Sequence, residues 1–226
     1  MNALLIAGTD TETGKTVLTS ALAAYCQIYR PHESLGIFKP IQTGTGDCEL
    51  YQKLFDLKQT SEEITPLRFQ TPVAPPIAAE QEGRLVDLGS VWQAFNALRQ
   101  QRMRVLVEAL GGLGSPITHE LTVADLARDW RLPVVLVVPV KLGAIAQAVA
   151  NVALARQSGV HLIGIVLNCV NSCSDQEIKD WTPVALIESL TNIPILGSIP
   201  HLADPADRSK LAQVASNLDI ERLLLS

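Results

Sequence analysis

The sequence predicts an α/β fold in which a doubly wound, mostly parallel sheet is flanked by helices. Short apolar runs recur along the chain and alternate with patterns typical of helices. These runs are nearly continuous rather than alternating, as in strands that are covered on both faces. The polar stretch GTDTETGKT, residues 8–16, follows the first run directly. Ligand-binding loops of such sheets lie at this end of a strand.

Six strands and six helices account for most of the chain. The strands are predicted at ALLIAG, LGIFKPI, RVLVEAL, PVVLVVPV, LIGIVLN and IPILGSIP. The first helix is predicted to begin at Gly14 and to run through TVLTSALAAYCQIY; the others cover DLGSVWQAFNALRQQ, TVADLARDW, GAIAQAVANVALARQ, DQEIKDWTPVALIESL and PADRSKLAQVASNL. Asp87 is placed as the N-cap of the second helix. No internal repeat or linker is visible, so residues 1–226 are expected to form a single domain.

Residues 58–86 lack this regularity and are rich in Pro, Gln and Glu. Within them, the prolines of FQTPVAPPIAAEQEG argue against a central strand or a regular helix. We therefore expect a long loop here. Long loops within compact domains are often functional.

Composition and charge exclude several classes of protein. Hydrophobic residues make up 47% of the 226 residues, which is enough for a large core. The net charge of −5 and the lack of a long basic run argue against a nucleic-acid partner. The apolar stretch 133–155 is broken by Pro139, Lys141 and Gly143, so we expect a strand and a packed helix there rather than a membrane span. Because MNALLIAG lacks the basic start of a signal peptide, a cytoplasmic protein with reduced cysteines is predicted.

The stretch GTDTETGKT ends like a Walker A motif. Backbone N–H groups of such a loop and of the helix that follows it converge on an anion. Lys15 would reach the β- and γ-phosphates of a nucleotide, and the Thr16 hydroxyl would ligate Mg²⁺. The match is not strict, because five residues separate Gly8 from Gly14 and Thr9 stands where the first glycine belongs. The strand before and the helix after still favour a phosphate site over a plain polar turn.

Three charged residues lie near the ends of the second and third predicted strands. Glu108 closes RVLVE, and a carboxylate at this position suits phosphate-bound Mg²⁺. Lys39 follows LGIF and would stabilise charge between a nucleotide and an acceptor. Asp47 follows a glycine-containing turn and is a further candidate metal ligand. The alternatives are a solvent-exposed Glu, a Lys that extends into solvent and an ordinary turn Asp.

Asn168 ends the fifth predicted strand, where its amide could pair with the edge of an adenine base. An Asn that simply ends a strand in a turn is the alternative. The following residues read NCVN, without the Asp that guanine-binding proteins carry nearby, so guanine recognition is disfavoured.

In their order along the chain, these segments resemble the dethiobiotin synthetase family of P-loop NTPases. The resemblance rests on GTDTETGKT, KPIQTG, PVAPPIAAEQEG, VEALGG, VPVKLGAI, GIVLN and GSIPHL, and it spans nearly the whole chain. It implies an ATP-dependent ligase of biotin biosynthesis. In the implied reaction, carbon dioxide adds to an amine of 7,8-diaminononanoate, ATP phosphorylates the carbamate, and the neighbouring amine closes the ring.

The resemblance also implies roles for individual residues. Lys39, Lys15 and Thr11 would be catalytic, and Thr43 would face the substrate. Thr16, Asp47 and Glu108 would hold Mg²⁺. The implied nucleotide-binding residues are Glu12, Thr13, Gly14, Lys15, Thr16, Val17, Asp47, Glu108, Gly111, Asn168, Cys169, Pro200, His201 and Leu202.

The resemblance implies a homodimer with the substrate near the contact between subunits. The helix from Gly143 to Ala155 supports this independently, because it is small and apolar nearly all round and needs cover on every side. Its N-terminus, KLGAI, offers N–H groups to an anionic tail such as the substrate carboxylate. Burial of this helix within one domain is the alternative.

Two residues depart from the family pattern. Ala109 replaces a glycine after Glu108, and its β-carbon could restrict approach to the γ-phosphate. Cys169 stands where an acid is common, which could loosen selection of the base. Two other functions stay open: a nucleotide switch of the partitioning-ATPase kind, and a synthetase domain of the cobyrinate-amidating kind.

Overall fold

The described residues of this computed structural model, 2–225, are organised around a six-stranded parallel sheet with strand order β2-β5-β1-β6-β7-β8. A second, two-stranded parallel sheet pairs β3 with β4. The strands are β1 Ala3–Gly8, β2 Leu35–Phe38, β3 Ile41–Thr43, β4 Leu67–Phe69, β5 Arg104–Gly112, β6 Pro133–Pro139, β7 His161–Asn168 and β8 Ile195–Ile199. The predicted doubly wound α/β architecture is confirmed.

Helices cover both faces of the main sheet. They are α1 Lys15–Tyr29, α2 Asp47–Leu54, α3 Ser61–Ile64, α4 Pro75–Gln81, α5 Leu88–Gln101, α6 Val123–Asp129, α7 Ala144–Ser158, α8 Asp175–Trp181, α9 Val184–Thr191, α10 Arg208–Ser216 and α11 Ile220–Leu225. Asp87 caps α5 as predicted, since its carboxylate accepts a hydrogen bond from the Ser90 N–H at 3.1 Å. None of the described helices is long and apolar enough to cross a membrane.

Strand β1 divides the core into two layers. Leu5 and Ala7 pack with β6 and with helices α5 to α7, whereas Leu4 and Ile6 pack with α1 and α10 on the other face. All six residues of β1 are buried, which explains why its sequence is continuously apolar. Because β1 pairs with both β5 and β6, the loop that follows it lies at the middle of the sheet edge.

Proline explains three differences from the predicted elements. The run LGIFKPI divides, because Pro40 has no N–H for a strand ladder; β2 ends at Phe38, and Ile41–Thr43 joins the second sheet. The segment DQEIKDWTPVALIESL is two helices separated at Pro183. Residues 58–86 are not one long loop: they hold α3, β4 and α4. Helix α4 accepts its two prolines because they stand in its first turn, where helix N–H groups have no partner anyway.

Two further helices, α2 and α11, were not predicted from the sequence. The cysteines fit the prediction of reduced thiols, since all four are free.

Candidate functional site

The loop between β1 and α1 is shaped by backbone that only glycine accepts easily. Gly14 has φ 92°, and a β-carbon there would collide with the amide of Asn168. That amide donates to the Thr13 carbonyl at 2.9 Å and so ties the loop to the end of β7. Opposite the loop, a β-carbon on Gly112 would lie 2.8 Å from the Thr9 carbonyl oxygen, so the VEALGG segment needs its last glycine for close approach.

Lys15 begins α1 and is 7% exposed. Its ammonium donates to the Asp10 carbonyl at 2.9 Å, folding back over the loop. Burial lowers the pKa of Lys15; the Glu108 carboxylate opposes this effect, and the Lys39 charge adds to it. The ammonium therefore gains from any anion that enters the loop.

Lys39 lies just beyond the end of β2, between two carboxylates. Its ammonium is 2.9 Å from Glu108 Oε1 and forms a second ion pair with Asp47. Both Lys39 and Glu108 are buried, at 4% and 1% exposure. Burial alone would lower the pKa of Lys39, but Glu108 and Asp47 outweigh it and the pKa is raised. The alternatives of a solvent-exposed Glu and an extended surface Lys are therefore wrong.

Thr16 joins the same network from the first turn of α1. Its hydroxyl lies 3.0 Å from Glu108 Oε1 and 3.3 Å from Asp47 Oδ1. One hydroxyl and two carboxylates thus face a common point, and these are the hard oxygen donors that Mg²⁺ prefers. The described residues contain no cluster of three or more His, Cys, Asp or Glu side chains suited to a metal. The donor set fits an ion that takes its remaining ligands from phosphate and water.

Tyr51 is part of this network, and sequence reasoning missed it. It is fully buried on α2, and its phenol donates to Glu108 Oε2, the oxygen that Lys39 leaves free. Burial and the nearby Glu108 charge raise the pKa of Tyr51 well above its ordinary value, so it remains a donor. Tyr51 lies four positions after Asp47, so both face the same side of α2. If α2 had been predicted from the sequence, this spacing would have indicated that Tyr51 lies near the same site as Asp47.

The charged groups line a cleft of about 450 Å³ at the carboxyl ends of β1, β2 and β5. The cleft brings together nine of the residues singled out from the sequence: Thr11, Glu12, Lys15, Thr16, Lys39, Thr43, Asp47, Glu108 and Gly111. Thr13, Gly14 and Val17 lie in the adjoining loop and first helical turn. We expected these distant segments to meet, because the carboxyl ends of parallel strands lie at one edge of the sheet.

The segments expected to hold a base lie apart from this cleft, after β7 and β8. Pro200, His201 and Leu202 follow the end of β8, and His201 Nδ1 is 3.0 Å from the Val170 carbonyl. The Cys169 N–H donates to Ile199 at 2.9 Å, which joins the two strand ends. The Cys169 side chain is 5% exposed and packs in the core, and burial raises its pKa to about 11.

The methyl of Ala109 does not restrict the cleft. Side chains alternate along β5, so Glu108 faces the cleft, whereas Ala109 packs with Val105 and Val107 in the opposite core layer. The β-carbon of Ala109 therefore does not restrict the approach of a γ-phosphate to the cleft.

Helix α7 is covered on one side only within the chain. Ala144, Ala148, Val152 and Ala155 are buried, but Ala146, Ala150 and Ala153 are exposed. The alternative of full burial within one chain is therefore wrong. The exposed side borders a second opening of about 480 Å³, which the phosphate loop lines through Thr9 and Asp10.

We predict that Lys39→Met destabilises the ligand-free protein by about 3–5 kcal/mol, because it leaves Glu108 buried without its cation. The double variant Lys39→Met/Glu108→Gln should recover part of this loss. The folded pKa of Lys39 lies above the unfolded value of about 10.4, so its stabilisation is complete below that pH and disappears as pH rises through the folded pKa. Urea unfolding in EDTA at several pH values measures both effects.

Lys53→Met is the matched control, since Lys53 is exposed on α2; we expect a change within about 0.5 kcal/mol. Equal stability of Lys39→Met and wild type would show that the buried ion pair contributes nothing.

Comparison with known proteins places the chain in a family. Residues 2–209 match the family model described as "AAA domain". The ATP-dependent dethiobiotin synthetase of Gloeothece citriformis is 60% identical over 99% of both chains. That of Crocosphaera subtropica is 59% identical over 99% of this chain and 100% of its own length.

Among solved structures, a ParA family ATPase from Chlorobium tepidum superposes with a TM-score of 0.59. The match covers 100% of this chain and 98% of that one, but only 14% of residues are identical, so it shows a shared fold. The relatives of high identity decide the family: the chain belongs to the ATP-dependent dethiobiotin synthetases.

Proposed function

We propose that this chain closes the ureido ring of dethiobiotin from 7,8-diaminononanoate, carbon dioxide and ATP. The observation that carries the proposal is the meeting of two ammonium groups, two carboxylates and one hydroxyl in a single cleft beside a phosphate loop. Such a transfer needs positioning and charge neutralisation more than a protein nucleophile.

The reaction divides into three steps on the substrate. One amine of the diamine attacks carbon dioxide and loses a proton, which gives a carbamate. The carbamate oxygen takes the γ-phosphoryl group of ATP and releases ADP. The second amine then attacks the carbon of this carbamic-phosphoric anhydride, loses a proton to the departing phosphate or to solvent, and expels phosphate, which closes the ring.

Both lysines act on charge that builds during phosphoryl transfer. Lys15 leaves the Asp10 carbonyl and contacts the β- and γ-phosphates, while Lys39 lies between the γ-phosphate and the carbamate. A preorganised cation in a closed cleft stabilises the transition state more than a mobile one in water. Thr11 and Thr43, which also line the cleft, would contact the transferring group and the substrate.

The oxygen atoms of Thr16, Asp47 and Glu108 would hold Mg²⁺. When bound, the ion neutralises phosphate charge and orients the terminal phosphoryl group. Tyr51 has no contact with substrate in this scheme; it fixes the rotamer of Glu108 through the phenol hydrogen bond. It is therefore a positioning residue.

Nucleotide binding extends from the loop residues Glu12, Thr13, Gly14 and Val17 and from Gly111 toward the ends of β7 and β8. There, Asn168, Cys169 and the backbone of residues 200–202 would receive the adenine. One N–H of Asn168 already donates to Thr13, so its amide oxygen and its second N–H are left for the edge of a base. Since the Cys169 thiol is buried, that residue would contribute through its backbone.

We propose that the enzyme is a homodimer that pairs through the exposed side of α7. This side carries small residues, and nearby Leu142 is 83% exposed. The opening beside it includes the phosphate loop, so a second chain seated there would enclose substrate between the subunits.

We also propose that residues 1–226 act as one domain in the cytoplasm, consistent with four free cysteines and two core layers on one sheet.

A nucleotide switch is the second candidate function, because the fold is shared with a ParA family ATPase. Such a switch hydrolyses ATP without a small-molecule acceptor. Turnover that depends on the diamine separates the two functions.

We predict that phosphate release in ATP, Mg²⁺ and bicarbonate requires the diamine and falls at least ~100-fold in Lys39→Ala, the scale of losing one preorganised charge-stabilising group. Lys53→Ala, which removes an exposed charge from α2, should retain wild-type turnover. Hydrolysis that ignores both the diamine and the Lys39 substitution would support the nucleotide switch instead.

Tyr51→Phe should weaken Mg²⁺ binding in the presence of ADP by about tenfold or more, because Glu108 loses the donor that orients it. Calorimetric titration of Mg²⁺ measures this without turnover. Tyr25→Phe is the control, since Tyr25 packs against Tyr29 away from the cleft. Unchanged Mg²⁺ affinity in Tyr51→Phe would remove Tyr51 from the positioning role.

Ala150→Asp places a charge on the exposed side of α7 and should shift the protein from dimer to monomer in light scattering, since an unpaired charge is costly at a closed interface. Ala97→Asp is the control, since Ala97 is exposed on the outer side of α5. A dimer that survives Ala150→Asp would exclude this side of α7 as the contact.

A further inference from the structure

Another cleft of about 450 Å³, called the second cleft below and distinct from the opening beside α7, lies at the opposite edge of the sheet from the phosphate loop. It surrounds Leu35 at the start of β2 and is bounded by Gln27 near the end of α1 and by residues 56–58 after α2. It shares no lining residue with the charged cleft, and the proposed synthetase reaction makes no use of it.

The second cleft is positively charged in a chain whose net charge is −5. Its cations are Lys58, Arg102 and Arg208, and none of them forms an ion pair with another described residue. Of its two acids, Glu33 is paired with arginines outside the cleft, at 3.5 Å to Arg30 and 2.9 Å to Arg104, and only Asp56 is unpaired. Three unpaired cations against one unpaired carboxylate leave a charge of +2.

Both arginines are held in place while some of their donors stay free. Arg102 Nη2 donates to the carbonyls of Leu57 and Lys58 at 3.1 and 2.9 Å, and its buried Nε has no partner among the described residues. Arg208 Nη2 donates to Gln27 Oε1 at 2.7 Å, and its guanidinium lies 5.8 Å from the centre of the Phe55 ring. The Nη1 group of Arg102 and the Nη1 and Nε groups of Arg208 donate to no described residue, so these N–H groups are available to a ligand.

We propose that this cleft binds a small organic phosphate. A phosphate monoester carries close to two negative charges at neutral pH, which matches the charge of the cleft. Guanidinium forks pair with phosphate oxygens in bidentate geometry. Pro31, Leu35 and Leu57 supply an apolar wall for the carbon skeleton of the ligand.

Calorimetric titration of glycerol 3-phosphate into the full-length protein tests the proposal. Saturating ADP and Mg²⁺ are present, so that the phosphate loop is filled. Wild type should bind, and more weakly as NaCl is raised, because the contacts are partly exposed charges. The double variant Lys58→Gln/Arg208→Gln should bind at least about tenfold more weakly; Arg102 is left intact because it anchors the backbone of the cleft.

The matched control is Arg131→Gln/Lys179→Gln. It also removes one Lys and one Arg, both exposed, and Arg131 has the same left-handed backbone as Lys58, with φ 52° against 50°. It should bind like wild type. No binding to wild type, equal weakening in both double variants, or equally tight binding of succinate in place of the phosphate would each overturn the proposal.

Discussion

The buried ion pair between Lys39 and Glu108 is the constraint on which the site depends. Without ligands, the Lys39 ammonium is paired with Glu108 and Asp47, whereas the Lys15 ammonium donates to the Asp10 carbonyl. In the proposed reaction, a metal-bound triphosphate would replace these partners: the carboxylates would hold the cation, and the lysines would contact the phosphates. The cost of burying these charges is met before the nucleotide arrives, which is the physical basis of preorganisation.

Strand order explains why residues so distant in sequence meet. In the order β2-β5-β1, Phe38 at the end of β2 lies beside Val107, and Glu108 lies beside Ile6, two residues before the end of β1. Strand β5 continues past Glu108 to Gly112, so Glu108 does not close its strand as the sequence predicted. Parallel strands share direction, so whatever follows each of them emerges at the same edge. The phosphate loop and Lys39 follow β1 and β2 and therefore reach the same edge, where they meet Glu108 of the intervening strand β5. No local sequence pattern has to encode these contacts. Lys15 and Thr16 reach the site from the first turn of α1, and Asp47 and Tyr51 reach it from α2.

Most of the main sheet and the charged cleft could be predicted, because buried parallel strands are continuous apolar runs and their ends are marked by polar residues. Tyr51 could not, since α2 has only 8 residues and its N-cap is Gly46, which has no side chain to mark the start of a helix. Prolines misled the prediction in residues 58–86, because a proline breaks a helix inside but is tolerated in its first turn.

The two openings beside the phosphate loop divide the chemical work. Thr11 and Glu12 face the charged cleft, whereas Thr9 and Asp10 face the opening bordered by α7. In the proposed reaction, Lys15, Lys39, Asp47 and Glu108 of one chain would neutralise charge in the charged cleft. The opening bordered by α7 is lined by Gly112, Gly114 and Ala150 among others, and no further described element of the chain covers the exposed alanines of α7. A carbamic-phosphoric anhydride is hydrolysed by water, so in the proposed dimer a second chain on the exposed side of α7 would exclude water from this opening.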